Sequence, residues 1–198
     1  MPEKIHIGNL EYIFNDKKVE GKQIRINNEN FYKISNVDKM RPFFMSIVSN
    51  SNHWMFISST GSLSAGRKNS EFALFPYYTD DKITESSETT GSKTILILKI
   101  NGKKYLWEPF SDKYSGIYNI SRNIYKNTIG NKVIFEEINH DLNIVFSYQW
   151  NSSNKFGFIK KSFIKNNSKE NVSINLIDGI QNILPYGVGE GLQNAQSN

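Results

Sequence analysis

The sequence predicts an all-β protein built as an antiparallel β-sandwich, and three observations lead to this prediction. Between Asn143 and Trp150 the large apolar side chains occupy every second position: Ile144, Phe146, Tyr148 and Trp150. Because side chains alternate between the two faces of a strand, these four share one buried face. Polar turns separate this run from similar runs on both sides, and no segment between Met1 and Gln181 keeps a helical period for three turns.

The first half of the chain carries several short strand candidates. Residues 10–14 and 31–35 are two of them, separated by the polar residues 15–30. Residues 43–48 are rich in aromatic and β-branched side chains, and residues 53–58 follow after an Asn-Ser-Asn turn. Two such runs around a short polar turn predict a buried hairpin.

Two segments that follow these strand candidates, residues 58–68 and 80–92, are predicted to be irregular. Residues 58–68 are rich in small side chains, but Gly61 and Gly66 lack the spacing of a phosphate-binding loop and no Gly-Lys-Ser/Thr follows. A flexible loop in which backbone approaches backbone is favoured there over nucleotide binding. Residues 80–92 are polar and predict a surface crossing.

The second half predicts one hairpin and then a meander. Asn101-Gly102 is the strongest turn signal, because a type I′ turn needs positive φ at both central residues. Residues 93–100 and 103–110 therefore pair as neighbours. The strands expected after this hairpin are residues 117–125, 132–139, 143–150, 156–165 and 172–181.

Composition narrows the functional classes. The 198 residues fit one domain, with residues 182–198 expected to be the start of a continuation. The net charge of +5 is spread over scattered lysines, which argues against nucleic-acid binding. The chain has no cysteine, no apolar run long enough to span a bilayer and no signal peptide, so no membrane association and a cytoplasmic location are expected.

No catalytic or metal-binding motif stands out. Asp80-Asp81 and Glu136-Glu137 are adjacent pairs, whose members point to opposite faces of a strand, so ordinary surface charge is favoured for both pairs. The three histidines lack metal-ligand spacing, and no cofactor is expected. A Ser/His/Asp triad stays open on composition, although no Gly-X-Ser-X-Gly elbow is present.

The three tryptophans offer flat apolar surfaces that are able to stack on sugar rings. Trp54 and Trp150 are in phase with apolar strand neighbours, which favours core positions for both. Trp107 is followed by Glu108 and Pro109, and proline ends a strand, so a position at a rim is expected for Trp107.

The order of segments from Phe43 to Gln181 resembles the N-terminal domain of glycoside hydrolase family 94, the group of cellobiose phosphorylase and cyclic β-1,2-glucan synthase. One matching element is Ser58-Ser59-Thr60-Gly61 with Asn69-Ser70 and Tyr78-Thr79-Asp80-Asp81. Another is Tyr105-Leu106-Trp107-Glu108-Pro109, similar to a Trp-Ser-Pro after a hairpin, and the third is the meander ending in Phe163-Ile164-Lys165-Asn166-Asn167-Ser168. Departures are Glu108 in place of the usual Ser, and Lys68 and Glu71 where Arg is frequent.

This resemblance implies a super-sandwich fold like that of galactose mutarotase. It implies a scaffold or carbohydrate-binding domain that is not catalytic alone, because the family's catalytic acid lies in a C-terminal helical barrel beyond residue 198. The implied partners are a gluco-oligosaccharide, that barrel and a second copy in a homodimer. The residues it places toward sugar or barrel are Arg67, Asn69, Tyr77, Asp80 and Trp107.

Two other classes remain open from the sequence. A free-standing lectin-like sandwich would bind sugars without any partner domain. A structural adhesion or surface domain would have no sugar ligand at all.

Overall fold

A computed structural model describes residues 3–14, 17–77 and 80–196 of the chain. The strands of its first half are β1 Glu3–Ile7, β2 Leu10–Phe14, β3 Glu20–Ile26, β4 Glu29–Ser35, β5 Phe44–Ile47, β6 His53–Ser58 and β7 Leu63–Arg67. Those of its second half are β8 Gly91–Ile100, β9 Lys103–Trp107, β10 Ile120–Asn127, β11 Lys132–Asn139, β12 Ile144–Ser153, β13 Gly157–Asn166 and β14 Ser173–Gln181. Two short helices, α1 Asp80–Glu85 and α2 Glu190–Gln196, complete the described elements together with 3-10 turns at Val37–Lys39 and Ser70–Phe72.

The strands form antiparallel sheets, as the sequence predicts. The largest sheet has six strands in the order β13-β12-β11-β10-β4-β3. Two three-stranded sheets, β14-β8-β9 and β5-β6-β7, contribute to the same hydrophobic core as the large sheet, and β1 and β2 form a separate hairpin. The expected meander is present, because β10 to β13 pair each with the next. The all-β, sandwich-like fold class is therefore confirmed.

The core forms where the alternating strand β12 meets the two small sheets. Ile144, Phe146, Tyr148 and Trp150 are all at most 2% exposed. They belong to one cluster with apolar side chains of β6, β7 and β8: Met55, Ile57, Leu63, Ala65, Leu96 and Leu98. Burial of apolar surface on this scale is the main favourable contribution to folding. The core position predicted for Trp150 is confirmed, whereas Trp54 is only half-buried.

A polar contact joins the large sheet to the sheet of β14. Asp178 on β14 accepts hydrogen bonds from Lys160 Nζ at 2.6 Å and from Ser162 Oγ at 2.8 Å, both on β13. Thr94 Oγ1 on β8 donates to the same carboxylate at 2.6 Å. Burial by itself raises the pKa of Asp178, but the hydrogen bonds from Lys160, Thr94 and Ser162 outweigh it, so the pKa lies below its usual value.

The hairpin of β8 and β9 turns at Asn101-Gly102, as predicted. Both turn residues have positive φ, 48° at Asn101 and 82° at Gly102, which is the geometry of a type I′ turn. Strand β9 ends at Trp107, however, three residues before the predicted end. Pro109 explains this early end, because proline cannot donate a ladder hydrogen bond.

Regular structure is present in the two segments that the sequence predicts to be irregular, and in the polar residues 15–30, for which no element is predicted. Strand β3 lies within residues 15–30, α1 lies within residues 80–92, and β7 lies within residues 58–68. The prediction that backbone approaches backbone in this last segment is confirmed at Gly66. A Cβ atom there would lie 2.7 Å from the Phe72 carbonyl oxygen and 2.8 Å from Ala73 Cα. The small side chains of β7 thus permit close packing within a strand, so the loop prediction was wrong for residues 63–67.

The last described residues fold back on the segment after β7. The Leu184 N–H donates to the Leu74 carbonyl at 2.8 Å, and Ser70 Oγ donates to Glu190 Oε2 at 2.6 Å. The Tyr77 N–H donates to Gln193 Oε1 at 2.9 Å. These bonds attach α2 to the segment of residues 70–77. Within the described ranges, neither helix has the length or apolar character that a membrane span requires.

Candidate functional site

A cleft of about 520 Å³ opens along the inner face of β10 and β11. Arg122, Ile124 and Phe135 line it from these two strands. Its other lining comes from four places, namely Tyr12 on β2, residues 37–42 after β4, Ser59 and Thr60 after β6, and residues 110–118 between β9 and β10. We call it the polar cleft, because charged and hydroxyl-bearing side chains alternate with rings along its walls.

Arg122 organises the polar side of this cleft. Its guanidinium donates to Glu137 Oε2 from Nε at 2.8 Å, to Asp112 Oδ1 from Nη1 at 2.6 Å, and to the Ser111 carbonyl from Nη2 at 2.9 Å. Burial by itself lowers the pKa of Arg122, but the charges of Glu137 and Asp112 outweigh it and raise the pKa above its ordinary value. Arg122 is therefore a permanent cation that fixes the wall at residues 111–112.

Glu137 lies beneath this arginine and is 1% exposed. It stands directly opposite Arg122 in the β10–β11 register. Besides Arg122, it accepts a hydrogen bond from Trp107 Nε1 at 2.8 Å and one from the Phe110 N–H at 2.7 Å. Since buried charges require such partners, Glu137 has a structural role, and the surface position predicted for it was wrong. The prediction that Glu136 and Glu137 point to opposite faces is confirmed by their different partners, because Glu136 accepts from Asn123 Nδ2 at 2.8 Å and from Tyr125 OH at 2.6 Å.

Phe110 supplies a fixed aromatic surface next to these charges. Its ring packs edge-on against Phe135, Phe146 and Tyr148 with centroids 5.1 to 6.3 Å apart. Its φ of 65° is unusual for a bulky residue and costs about 1–3 kcal/mol of local strain. The hydrogen bond to Glu137 and the ring contacts hold this conformation, so the ring is preorganised.

Two carboxylates also line the polar cleft, and both are ion-paired. Asp112 bonds Arg122, and Asp38 Oδ2 lies 3.1 Å from Lys39 Nζ. An ion-paired carboxylate is well suited to accept hydrogen bonds from ligand hydroxyl groups.

Of the five residues that the resemblance points to, the four with described side chains lie elsewhere, because Arg67, Asn69, Tyr77 and Trp107 do not line the polar cleft. Arg67 ends β7, is exposed, and borders a second cleft of about 350 Å³. Asn69 is exposed at the start of the Ser70–Phe72 turn. Tyr77 is 42% exposed and packs edge-on against Trp54 at 5.8 Å. No contact between the described side chains of these three residues forms a site, so their role toward sugar or barrel stays a prediction.

The other two predicted residues have different outcomes. Trp107 is 2% exposed, so the rim position predicted for it was wrong. Its indole turns inward because Glu137 accepts its N–H in the core. Asp80 is the first residue of α1, and its side chain lies outside the described residues, as do Tyr78 and Thr79 of the same motif.

A serine and a histidine do meet, on the other side of β10. Ser121 Oγ lies 2.9 Å from His140 Nε2 and accepts a hydrogen bond from Lys17 Nζ at 2.7 Å. Burial lowers the pKa of both Lys17 and His140. Ser121 is 8% exposed and lines neither of the two clefts, so this pair lacks the access that a nucleophile needs.

Sequence reasoning missed Arg122, Asp112 and Phe110 as site residues. A signal was available for the ion pair of Arg122 and Glu137. Glu137 continues the alternation of Val133 and Phe135, which indicates a carboxylate on an apolar face that needs a buried partner. In the described part of the chain, no group of three or more His, Asp or Glu residues is arranged to hold a metal ion. Neither the models of known protein families nor the curated proteins include a match to this sequence, so the family 94 resemblance stays a prediction.

Proposed function

We propose that this chain is a carbohydrate-binding β-sandwich that is not catalytic alone and that serves as a scaffold domain for an enzyme acting on gluco-oligosaccharides. The observation that carries the binding proposal is the polar cleft. It combines the permanent cation of Arg122 and two carboxylates with the preorganised ring of Phe110. A sugar ring has hydroxyl groups at its edge and C–H groups on its faces, so it matches both kinds of surface.

The size and access of the cleft agree with this ligand class. Its volume of about 520 Å³ falls within the range of about 300–1,000 Å³ that small-molecule sites occupy. Tyr12 and Tyr118 add two phenol rings to the lining, besides the phenyl ring of Phe110. The Tyr118 hydroxyl donates to the Leu106 carbonyl at 2.8 Å, which fixes that ring in place.

A non-catalytic role fits the carboxylates better than glycoside hydrolysis does. Hydrolysis needs one carboxyl group that donates a proton to the leaving oxygen and a second that acts on the sugar or on water. Asp38 and Asp112 are each paired with a cation, which favours hydrogen-bond acceptance. Glu137 has no free access, because it is buried under Arg122.

The scaffold part of the proposal is supported by the family 94 resemblance and by one surface feature. The outer face of the β14-β8-β9 sheet exposes Ile97, Leu106 and Ile177 by 42%, 43% and 71%. Ile97 and Leu106 stand directly opposite each other in the β8–β9 register. An apolar surface of this kind is typical of a face that contacts another domain.

Calorimetric titration with cellotetraose tests the binding proposal. A domain that forms only part of a sugar site is expected to bind with a Kd of about 1 mM. The Asp112→Ala variant is expected to give no measurable heat, because it removes from the cleft wall a carboxylate that accepts hydrogen bonds from sugar hydroxyl groups. Glu170→Ala is the matched control, since this exposed carboxylate lies outside the cleft lining, and it is expected to bind like the wild type.

Other outcomes separate the alternatives. Clear micromolar binding would favour the free-standing lectin. Carbohydrate binding would be contradicted if no heat were measured with any of four sugars: cellotetraose, laminaritetraose, sophorotetraose and maltotetraose. The structural adhesion or surface domain would then be the remaining alternative. Release of shorter sugars during the titration would contradict the non-catalytic role.

A further inference from the structure

A second cleft, of about 350 Å³, lies on another side of the molecule. It is bordered by the β6–β7 edge, by the turn between β12 and β13, and by residues just after β7 and at the end of β14. Its walls are mostly apolar and include Leu74, Phe75, Phe156, Phe158, Ile180 and Ile183. Phe156 and Ile183 are 71% and 56% exposed, so much of this apolar surface faces solvent. We call it the apolar cleft.

The ionisable side chains in the apolar cleft are all of the basic type. His53, Arg67 and Lys155 line it, and its described lining includes no acidic residue. The His53 ring is fixed, because Nδ1 lies 2.6 Å from Ser51 Oγ and the ring packs edge-on on Phe158 at 5.3 Å. The opposite nitrogen, Nε2, lies beside Gly157, where an added Cβ would be 3.6 Å away. Arg67 and Lys155 attract an anion, whereas burial and the nearby charge of Arg67 lower the pKa of His53 and favour its neutral ring.

An unpartnered buried donor belongs to the same cleft. Trp150 lines it and is 1% exposed, yet its indole Nε1 has no hydrogen-bond partner among the described residues. A buried N–H without an acceptor destabilises the folded state, and such groups are rare in proteins. Nε1 itself is enclosed by protein atoms, but Trp150 lines the cleft, so its indole N–H signal reports on what enters there.

We propose that the apolar cleft binds a small organic carboxylate with an aromatic or aliphatic body. The body packs against the exposed phenylalanine and isoleucine side chains, and the carboxylate pairs with Arg67 beside the His53 ring. A neutral sugar fits the apolar cleft poorly. The described lining of this cleft has no carboxylate to accept hydrogen bonds from sugar hydroxyl groups, whereas the polar cleft has two. This site is separate from the polar cleft and does not depend on the carbohydrate proposal.

Nuclear magnetic resonance of the full chain tests this site with three probes of known chemistry. The probes are 3-phenylpropionate, octanoate and acetate, with 3-phenylpropionamide as an uncharged match for the first. The chain has three tryptophans, so the spectrum contains three indole N–H signals, and Trp150→Phe assigns the one that matters. We expect 3-phenylpropionate or octanoate to shift the Trp150 indole signal, while the amide and acetate bind about tenfold more weakly or worse.

A pair of variants separates charge from folding. Arg67→Gln removes a cation at an exposed position and is expected to weaken carboxylate binding about tenfold. Arg25→Gln, an exposed arginine of β3 outside the cleft lining, is expected to leave it unchanged. The proposal is overturned if neither carboxylate moves the Trp150 signal, if the amide binds as tightly as the acid, or if Arg67→Gln binds like the wild type. Cellotetraose is expected to leave the Trp150 signal in place whether or not it binds the polar cleft.

Discussion

Glu137→Ala is expected to lower the free energy of unfolding by about 3–5 kcal/mol, as is typical when one partner of a buried ion pair is removed. The variant leaves Arg122 beside an empty position and takes the acceptor away from the Trp107 indole and the Phe110 N–H. Each buried donor left without a partner adds to the loss. Urea unfolding followed by far-UV circular dichroism measures it.

Two further variants identify the cause of this loss. Glu170→Ala is an exposed match and is expected to change stability by less than about 0.5 kcal/mol. The double variant Glu137→Met with Arg122→Met removes both charges and is expected to regain much of the loss, because apolar pairs often replace buried ion pairs at little cost. A Glu137→Ala protein as stable as the wild type would refute the structural role assigned to this carboxylate.

Phe146→Ala is expected to destabilise the fold by about 3–5 kcal/mol, the usual range for a large aromatic side chain removed from a packed core. Phe146 is 0% exposed and packs against Phe110 and Tyr148, with ring centroids 6.2 and 6.5 Å away. The truncation leaves a cavity where β12 meets the small sheets. Thermal and urea unfolding both measure the change.

Phe163→Ala provides the comparison, because it truncates the same side chain on the neighbouring strand β13 at a position that is 54% exposed. Its expected loss is below about 1 kcal/mol. Equal losses for Phe146→Ala and Phe163→Ala would show that β12 does not face the core in the way described.

The strands that were predicted correctly from the sequence have one face in the core and the other face toward solvent. Strand β11 has the predicted bounds, and β12 keeps its predicted alternation, because half-buried strands record burial as a period of two. The β8–β9 hairpin followed from Asn101-Gly102, since the backbone requirement of that turn is local.

The elements that were missed lack such local signals. Strand β7 reads Leu-Ser-Ala-Gly-Arg, and four of its five residues are buried, so no alternation is visible. Its small side chains are explained only by the close approach of Ala73 to Gly66, seven residues away. Strand β3 is mostly exposed and polar, and its pairing with β4 supplies a stability that composition does not record.

The polar cleft was harder still to predict, because it joins segments distant in sequence. Glu137, which holds Arg122 in the cleft wall, is thirty residues from Trp107, and their hydrogen bond turns the indole inward. A tryptophan before a proline gives no indication of such an acceptor. The apolar cleft likewise joins distant segments, because Arg67 ends β7 and Phe156 lies between β12 and β13.

The location of a bound sugar tests the central claim most directly. In ¹⁵N-labelled protein titrated with cellotetraose, the amide signals of Thr60, Phe110 and Asp112 around the polar cleft are expected to shift together. The amides of Gly157 and Phe158 in the apolar cleft are expected to stay in place. Shifts confined to the apolar cleft, or scattered without relation to either cleft, would contradict a carbohydrate site built on Arg122.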